Sequence, residues 1–142
     1  GLAHGSSEVE TGQNLEDVID PHILLAVRLK VLADLLRDQE QCDLVICLSH
    51  LGFLYRNEPS RVCDLTLARN TKDIDLIIGG HTHTFLNEPV AISQSDGSVT
   101  LINQVGWAGI NLGRLDYTFS GKFRKQSLKT ASIEISEKSS VI

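Results

Sequence analysis

Three histidines follow two apolar segments, and their type and spacing make them the residues best suited to chemistry. His50 follows the apolar run of residues 43–48, and His81 and His83 follow residues 74–78 in the sequence Gly-Gly-His-Thr-His. Neutral imidazole is a common protein ligand for Zn, Mn and Fe ions. The one-residue spacing lets His81 and His83 project to the same side of an extended backbone. The sequence therefore predicts a metal site formed by His50, His81 and His83.

That site depends on a βαβ unit that would bring the histidines together. Both apolar runs are typical of parallel strands covered on both faces, and a helix is predicted over residues 60–70 between them. The carboxyl ends of adjacent parallel strands meet at one edge of a sheet, about 4.8 Å apart, where α/β proteins bind ligands. Asp43 and Asp75 precede their strands. We therefore expect these two aspartates at the opposite edge, outside the site.

The spacing of apolar residues before the first predicted strand predicts an amphipathic helix. Asp20 is a suitable N-cap and Pro21 suits the first helical position. The predicted apolar face carries leucines at 25, 29, 32 and 36, and the predicted polar face carries Lys30, Asp34, Arg37 and Asp38.

The remainder of the chain predicts antiparallel strands. Residues 89–94 and 99–105 flank the hairpin signal Asp96-Gly97, and two further strands are predicted over residues 110–119 and 123–135. Residues 1–15 form a polar arm without periodicity. We therefore expect an α/β fold over residues 16–142, with a βαβ unit followed by antiparallel strands.

Composition limits the classes of function. The chain has 142 residues and a formal net charge of −5, so it lacks the basic surface that binds a nucleic acid polymer. No apolar run approaches the roughly 20 residues of a membrane span. A small phosphate substrate stays possible because a bound metal reverses the local field. The chain contains no Met, so we expect a processed product or a fragment.

Three sequence segments resemble the calcineurin-like metallophosphoesterases, in the branch of 5'-nucleotidases and UDP-sugar hydrolases. The segments are CDLVICLSHLG, DIDLIIGGHTHTFL and NQVGWAGINLGRLDYTF, and the resemblance covers about residues 20–119. It implies half of a four-layer αββα sandwich, namely the C-terminal half of the metallophosphatase domain. It further implies that His50 and His81 bind one ion of a dinuclear centre and that His83 binds the other.

The resemblance implies metal-dependent hydrolysis of a nucleoside monophosphate to a nucleoside and phosphate. Two divalent ions are expected, and nitrogen ligands favour Zn, Mn or Fe over Mg. The three matching segments do not include the family's Asp-x-His, Gly-Asp and Gly-Asn-His motifs, so the resemblance supplies neither the catalytic histidine nor the bridging carboxylate. We therefore expect a missing N-terminal half as a partner and no activity from this chain alone. The family also implies a periplasmic or cell-surface location.

A second hypothesis treats the chain as a non-catalytic module. In that case the three histidines hold a structural ion, and exposed sheet faces pair with a partner chain. The two hypotheses differ in whether the missing half restores phosphoester hydrolysis.

Overall fold

The computed structural model describes residues 21–94, 97–119 and 127–135, so the polar arm predicted for residues 1–15 lies outside the described residues. Of the helices in these ranges, none has the length and apolar character needed to cross a bilayer. The elements in chain order are α1 (Pro21–Asp34), a π-helical turn (Leu35–Gln39), β1 (Ile46–Leu48), α2 (Asp64–Asn70), β2 (Leu76–Ile78), β3 (Val90–Ser93), β4 (Val99–Asn103), β5 (Asn111–Thr118) and β6 (Ser127–Glu134).

Four strands form a mixed sheet in the order β1-β2-β4-β3. β1 and β2 pair in parallel, with Cys47 opposite Ile77, and β2 pairs in parallel with β4, with Ile77 opposite Ile102. β3 pairs antiparallel with β4, and β5 and β6 form a separate antiparallel ribbon. The predicted βαβ unit and the antiparallel strands after it are thus confirmed, as is the α/β fold class.

The core lies between the two helices and the mixed sheet. Ile77 and Ile102 are fully buried on adjacent strands, and Ala33 of α1 and Leu67 and Ala68 of α2 pack against them in one apolar cluster. Burial of each large aliphatic side chain contributes about 1.5–3 kcal/mol to folding. Together with the parallel pairing of β1 and β2, this packing fixes where the segments after these two strands begin.

The buried face of α1 differs from the prediction at two positions. Leu25, Leu29 and Leu36 pack against the core as expected, but Leu32 is 56% exposed and Arg37 is buried. Leu32 is displaced because the closest approach of α1 to the core is made by the small residues Ala26 and Ala33, which lie on a neighbouring stripe of the helix.

Arg37 is buried because it has two partners outside its helix. Its guanidinium pairs with the carboxylate of Asp75 and donates a hydrogen bond to the carbonyl oxygen of Cys42 at 2.7 Å. The same carboxylate accepts a hydrogen bond from the backbone N–H of Val45 at 2.8 Å. Asp75 therefore joins α1 to the start of β1 at the amino edge of the sheet, which is the edge predicted for it.

β1 is less covered than its apolar sequence predicts. Ile46 is 45% exposed and Leu48 is 80% exposed, so the expectation of burial on both faces is wrong for this strand. The reason is topological, because β1 is the edge strand of the sheet. Within the described ranges, nothing covers the face on which Ile46 and Leu48 lie.

Candidate functional site

The segments after β1 and β2 bring His50 and His81 together. Their ring centroids lie 5.1 Å apart with an interplanar angle of 77°, an edge-to-face contact. Gly80 allows this approach, since a Cβ atom there would lie 3.0 Å from Nδ1 of His50. Both histidines are exposed. The expected meeting of imidazoles at the carboxyl edge is thus found for this pair.

His83 occupies a different environment. Its ring stacks on Trp107, with centroids 5.7 Å apart and an interplanar angle of 12°. His81 and His83 have φ angles of 68° and 52°, so the extended backbone assumed for this pair is wrong. This left-handed region is sterically unfavourable for residues other than glycine.

The nitrogen donors of His50 and His81 fit part of a metal ligand set, because two neighbouring imidazoles suit Zn, Mn or Fe. In residues 21–94, 97–119 and 127–135, no group of three or more His, Cys, Asp or Glu side chains is placed to hold an ion. A site containing all of His50, His81 and His83 therefore stays a prediction.

Asp64 is a buried acid behind the histidines that the sequence analysis missed. It is the first residue of α2 and is fully buried, and its carboxylate accepts a hydrogen bond from the hydroxyl of Ser49, next to His50. Its Oδ2 atom lies against Gly79 and has no hydrogen-bond partner among the described residues. Burial raises the pKa of Asp64, and the Ser49 hydroxyl and the charge of His50 lower it in part. A lone acid at the start of an apolar helix was the available signal.

Gln104 is a second missed residue, placed directly after β4 and only 2% exposed. Its side chain forms hydrogen bonds with Gly80, Thr82 and Thr84 in the segment that carries His81 and His83. The signal for Gln104 was a polar residue within the apolar sequence Leu-Ile-Asn-Gln-Val, at the edge where the other strands end.

An aromatic residue and a cation lie beside the histidine pair. The ring of Tyr55 is 6.4 Å from that of His81, and its hydroxyl donates a hydrogen bond to the carbonyl oxygen of Leu51 at 2.9 Å. The guanidinium of Arg61 lies 3.9 Å from the centroid of the Tyr55 ring, within cation–π distance. The same guanidinium pairs with the carboxylate of Glu58 at 3.4 Å, so this side of the site carries an ion pair rather than an uncompensated charge.

Two known proteins with similar sequences are named for the hydrolysis of nucleotides. The chain is 36% identical over 87 residues to the trifunctional nucleotide phosphoesterase protein YfkN of Bacillus subtilis, an alignment that covers 61% of this chain and 5% of that protein. It is 31% identical over 91 residues to a snake venom 5'-nucleotidase of Macrovipera lebetinus, covering 55% of this chain and 20% of that one. No family profile matches the sequence.

Solved structures show the same relationship. A 5'-nucleotidase precursor from Thermus thermophilus superposes with a TM-score of 0.63 at 25% identity, covering 82% of this chain and 23% of that one. The NAD nucleotidase NadN of Haemophilus influenzae shares the fold, with a TM-score of 0.60 at 20% identity over 78% of this chain and 23% of that one. The chain thus spans under a quarter of each of these relatives. In sequence and fold the chain is thus similar to the C-terminal region of proteins in the 5'-nucleotidase branch of the metallophosphoesterase superfamily.

Proposed function

We propose that this chain is part of a metal-dependent hydrolase that converts nucleoside monophosphates to nucleosides and phosphate. The observation that supports this most directly is the meeting of His50 and His81 at the carboxyl edge of two parallel strands. The proposal takes its substrate class from the relatives, which are named as nucleotide phosphoesterases and 5'-nucleotidases.

His50 and His81 would hold one divalent ion through ring nitrogens, and His83 would serve a second. When bound, such ions act as Lewis acids that stabilise the charge developing on a transferred phosphoryl group. The donor chemistry favours Zn, Mn or Fe over Mg. In this proposal the histidines bind and position the ions and do not transfer protons.

The neighbouring residues of the chain would support binding of the substrate. Arg61, held over the Tyr55 ring and paired with Glu58, would attract an anionic phosphoester by exchanging the Glu58 carboxylate for a phosphate oxygen. Ser49 and Asp64 hold the start of the segment that carries His50, because their hydrogen bond joins it to α2. Because this segment is already held in place, His50 would lose less conformational entropy when it binds a metal ion.

The remaining ligands and the catalytic residues would come from a preceding half of the domain. Its contact surface would include the open face of β1, where Ile46 and Leu48 are exposed, and the outer face of α1, where Ile23, Val27 and Val31 are each more than half exposed. Clusters of exposed apolar side chains of this kind mark interaction surfaces. Because the remaining ligands and the catalytic residues would come from that preceding half, we expect the isolated chain to be inactive.

The experiment compares the protein encoded by the full reading frame with this chain alone. Hydrolysis of AMP is assayed with Mn²⁺ or Zn²⁺, and phosphate release is measured. We expect turnover only from the longer protein, and a fall of about 10³-fold or more in kcat for His50→Ala and His81→Ala, since removed electrostatic stabilisation has effects of that size. Lys129→Ala, at an exposed position on β6, is the control and should retain the parent rate.

Two results would contradict the proposal. Parent-like turnover in His50→Ala and His81→Ala would remove this pair from the site. Binding of AMP or metal by the full-length protein without any phosphate release would favour the non-catalytic module instead.

A further inference from the structure

The buried amide of Gln104 lies where three strand ends meet. Gln104 follows β4, which pairs in parallel with β2, so its side chain reaches the segment after β2. At 2% exposure it has almost no contact with solvent. A buried amide needs protein partners for both its oxygen and its nitrogen, or it destabilises the fold.

All partners of this side chain belong to one short segment. Its Oε1 atom accepts hydrogen bonds from the backbone N–H of Thr84 and from the hydroxyl of Thr82, the latter at 3.0 Å. Its Nε2 atom donates to the carbonyl oxygen of Gly80. The three bonds therefore fall on alternate residues and enclose His81 and His83 between them.

The two enclosed residues have left-handed backbones, with φ angles of 68° at His81 and 52° at His83. Such conformations cost on the order of 1–3 kcal/mol each and persist only where the surroundings fix them. We propose that Gln104 is a positioning residue, which holds residues 80–84 in the conformation that presents His81 and His83 for metal binding. This inference rests on the proposed function.

The same network reaches the segment that carries His50. The hydroxyl of Thr82 accepts a hydrogen bond from the backbone N–H of Phe53 at 2.9 Å while it donates to Gln104. Gln104 is thus connected, through one hydroxyl group, to both segments that supply the histidine pair. Loss of its amide would loosen the position of His81 relative to His50.

Gln94 offers a matched control of the same residue type. It is half-buried and its Nε2 atom donates to the carbonyl oxygen of Ala68. Because Gln94 lies in the β3–β4 connection, it is at the opposite edge of the sheet from Gln104. Replacement of Gln94 by Leu removes a half-buried, hydrogen-bonded amide without touching residues 80–84.

The test uses the full-length protein with Gln104→Leu and Gln94→Leu. Mn²⁺ affinity is measured by isothermal titration, and kcat and KM for AMP are measured at limiting and saturating Mn²⁺. For Gln104→Leu we expect a Mn²⁺ dissociation constant raised by about tenfold or more, as for lost supports of metal ligands. The KM for AMP at saturating Mn²⁺ should stay within about twofold, and Gln94→Leu should keep the parent Mn²⁺ affinity.

If Gln104→Leu does not fold, Gln104→Glu gives the same test, because it keeps the acceptor for Thr82 and Thr84 but loses the donor to Gly80. Parent-like Mn²⁺ affinity in the folded variant, or an equal loss in Gln94→Leu, would overturn the positioning role. The variant His81→Ala distinguishes a failure of the proposed metal site from a failure of the role assigned to Gln104. Unchanged Mn²⁺ binding in His81→Ala would contradict the proposed function itself, whereas its loss alongside a parent-like Gln104 variant would overturn only the role of Gln104.

Discussion

The hydroxyl of Ser49 donates a hydrogen bond to the fully buried carboxylate of Asp64, and this bond joins the segment carrying His50 to the start of α2. The second oxygen of that carboxylate faces Gly79, on the segment carrying His81. One buried acid therefore lies behind both members of the histidine pair.

The first prediction concerns the pH dependence of stability. Because burial raises the pKa of Asp64 in the folded state, the unfolded chain loses this proton first as the pH rises from about 3.9. The contribution of Asp64 to stability is therefore present below that pH and is lost as the pH rises through the folded-state pKa. Asp64→Asn cannot ionise, so we expect its free energy of unfolding to rise relative to the parent protein across this window.

Urea unfolding of both proteins between pH 3.5 and pH 7 measures that difference. Asp116→Asn is the control, because Asp116 is exposed and its carboxylate pairs with the nearby, equally exposed Arg114. A difference between Asp64→Asn and the parent that is independent of pH would contradict the assignment.

The second prediction contrasts two adjacent glycines. A Cβ atom at Gly79 would overlap the carboxylate of Asp64 and lie 3.2 Å from Nε2 of Gln104, and both side chains are buried. Gly79→Ala should therefore destabilise the protein by about 1–3 kcal/mol, as overpacking of a core does. At Gly80 the nearest obstacle is the exposed ring of His50, at 3.0 Å, which can move.

Gly80→Ala should consequently lower the free energy of unfolding less than Gly79→Ala does. Relative to that loss of stability, its effect on Mn²⁺ affinity should be the larger of the two. Thermal unfolding and Mn²⁺ titration of the two variants measure both quantities. The prediction fails if Gly80→Ala is the more destabilising variant or if it binds Mn²⁺ as the parent does.

The placement of the histidine pair could be predicted because it follows from chain direction alone. Two apolar runs joined by a helix form parallel neighbours, so His50 and His81 had to meet at one edge. The conformation after β2 could not be predicted in this way. It depends on hydrogen bonds from Gln104, which is more than twenty residues distant in sequence.

The burial of Arg37 could not be predicted from the helix pattern for the same reason. Helical periodicity places Arg37 on the polar side, but an ion pair with Asp75, 38 residues away, makes its burial favourable. Local patterns do not contain such a partner. The exposure of Ile46 and Leu48 likewise reflects the position of β1 at the sheet edge, which its own sequence does not specify.

The third prediction tests that ion pair. Arg37→Leu leaves the Asp75 carboxylate without its cation, and we expect a loss of about 3 kcal/mol in the free energy of unfolding, as for other broken pairs of buried charges. Lys30→Leu is the matched control from the same helix. Its pair with Asp34 is solvent-exposed and screened by water, so the expected loss is much smaller. Equal losses in the two variants, measured by urea unfolding, would show that the Arg37 pair has no special role.

The last prediction concerns His83, which stacks on Trp107, the one tryptophan of the 142 residues. Binding of a metal ion by His83 requires the imidazole to turn a ring nitrogen toward the ion, and this movement would disturb the stack. Tryptophan emission depends on the contacts of the indole ring. Addition of Zn²⁺, which does not itself absorb or quench by paramagnetism, to the full-length protein should therefore change the part of the emission that a Trp107→Phe variant lacks.

His83→Ala should change the starting emission, because the stacking partner is gone, and should abolish the response to Zn²⁺. Asp116→Asn, which removes an exposed carboxylate on β5, is the control for Zn²⁺ bound elsewhere and should respond like the parent. An identical Zn²⁺ response in His83→Ala and the parent would assign the signal to another site. An absent response in a full-length protein that binds Zn²⁺ through His50 would show that His83 stays on Trp107, and the predicted third imidazole would then be a packing residue rather than a ligand.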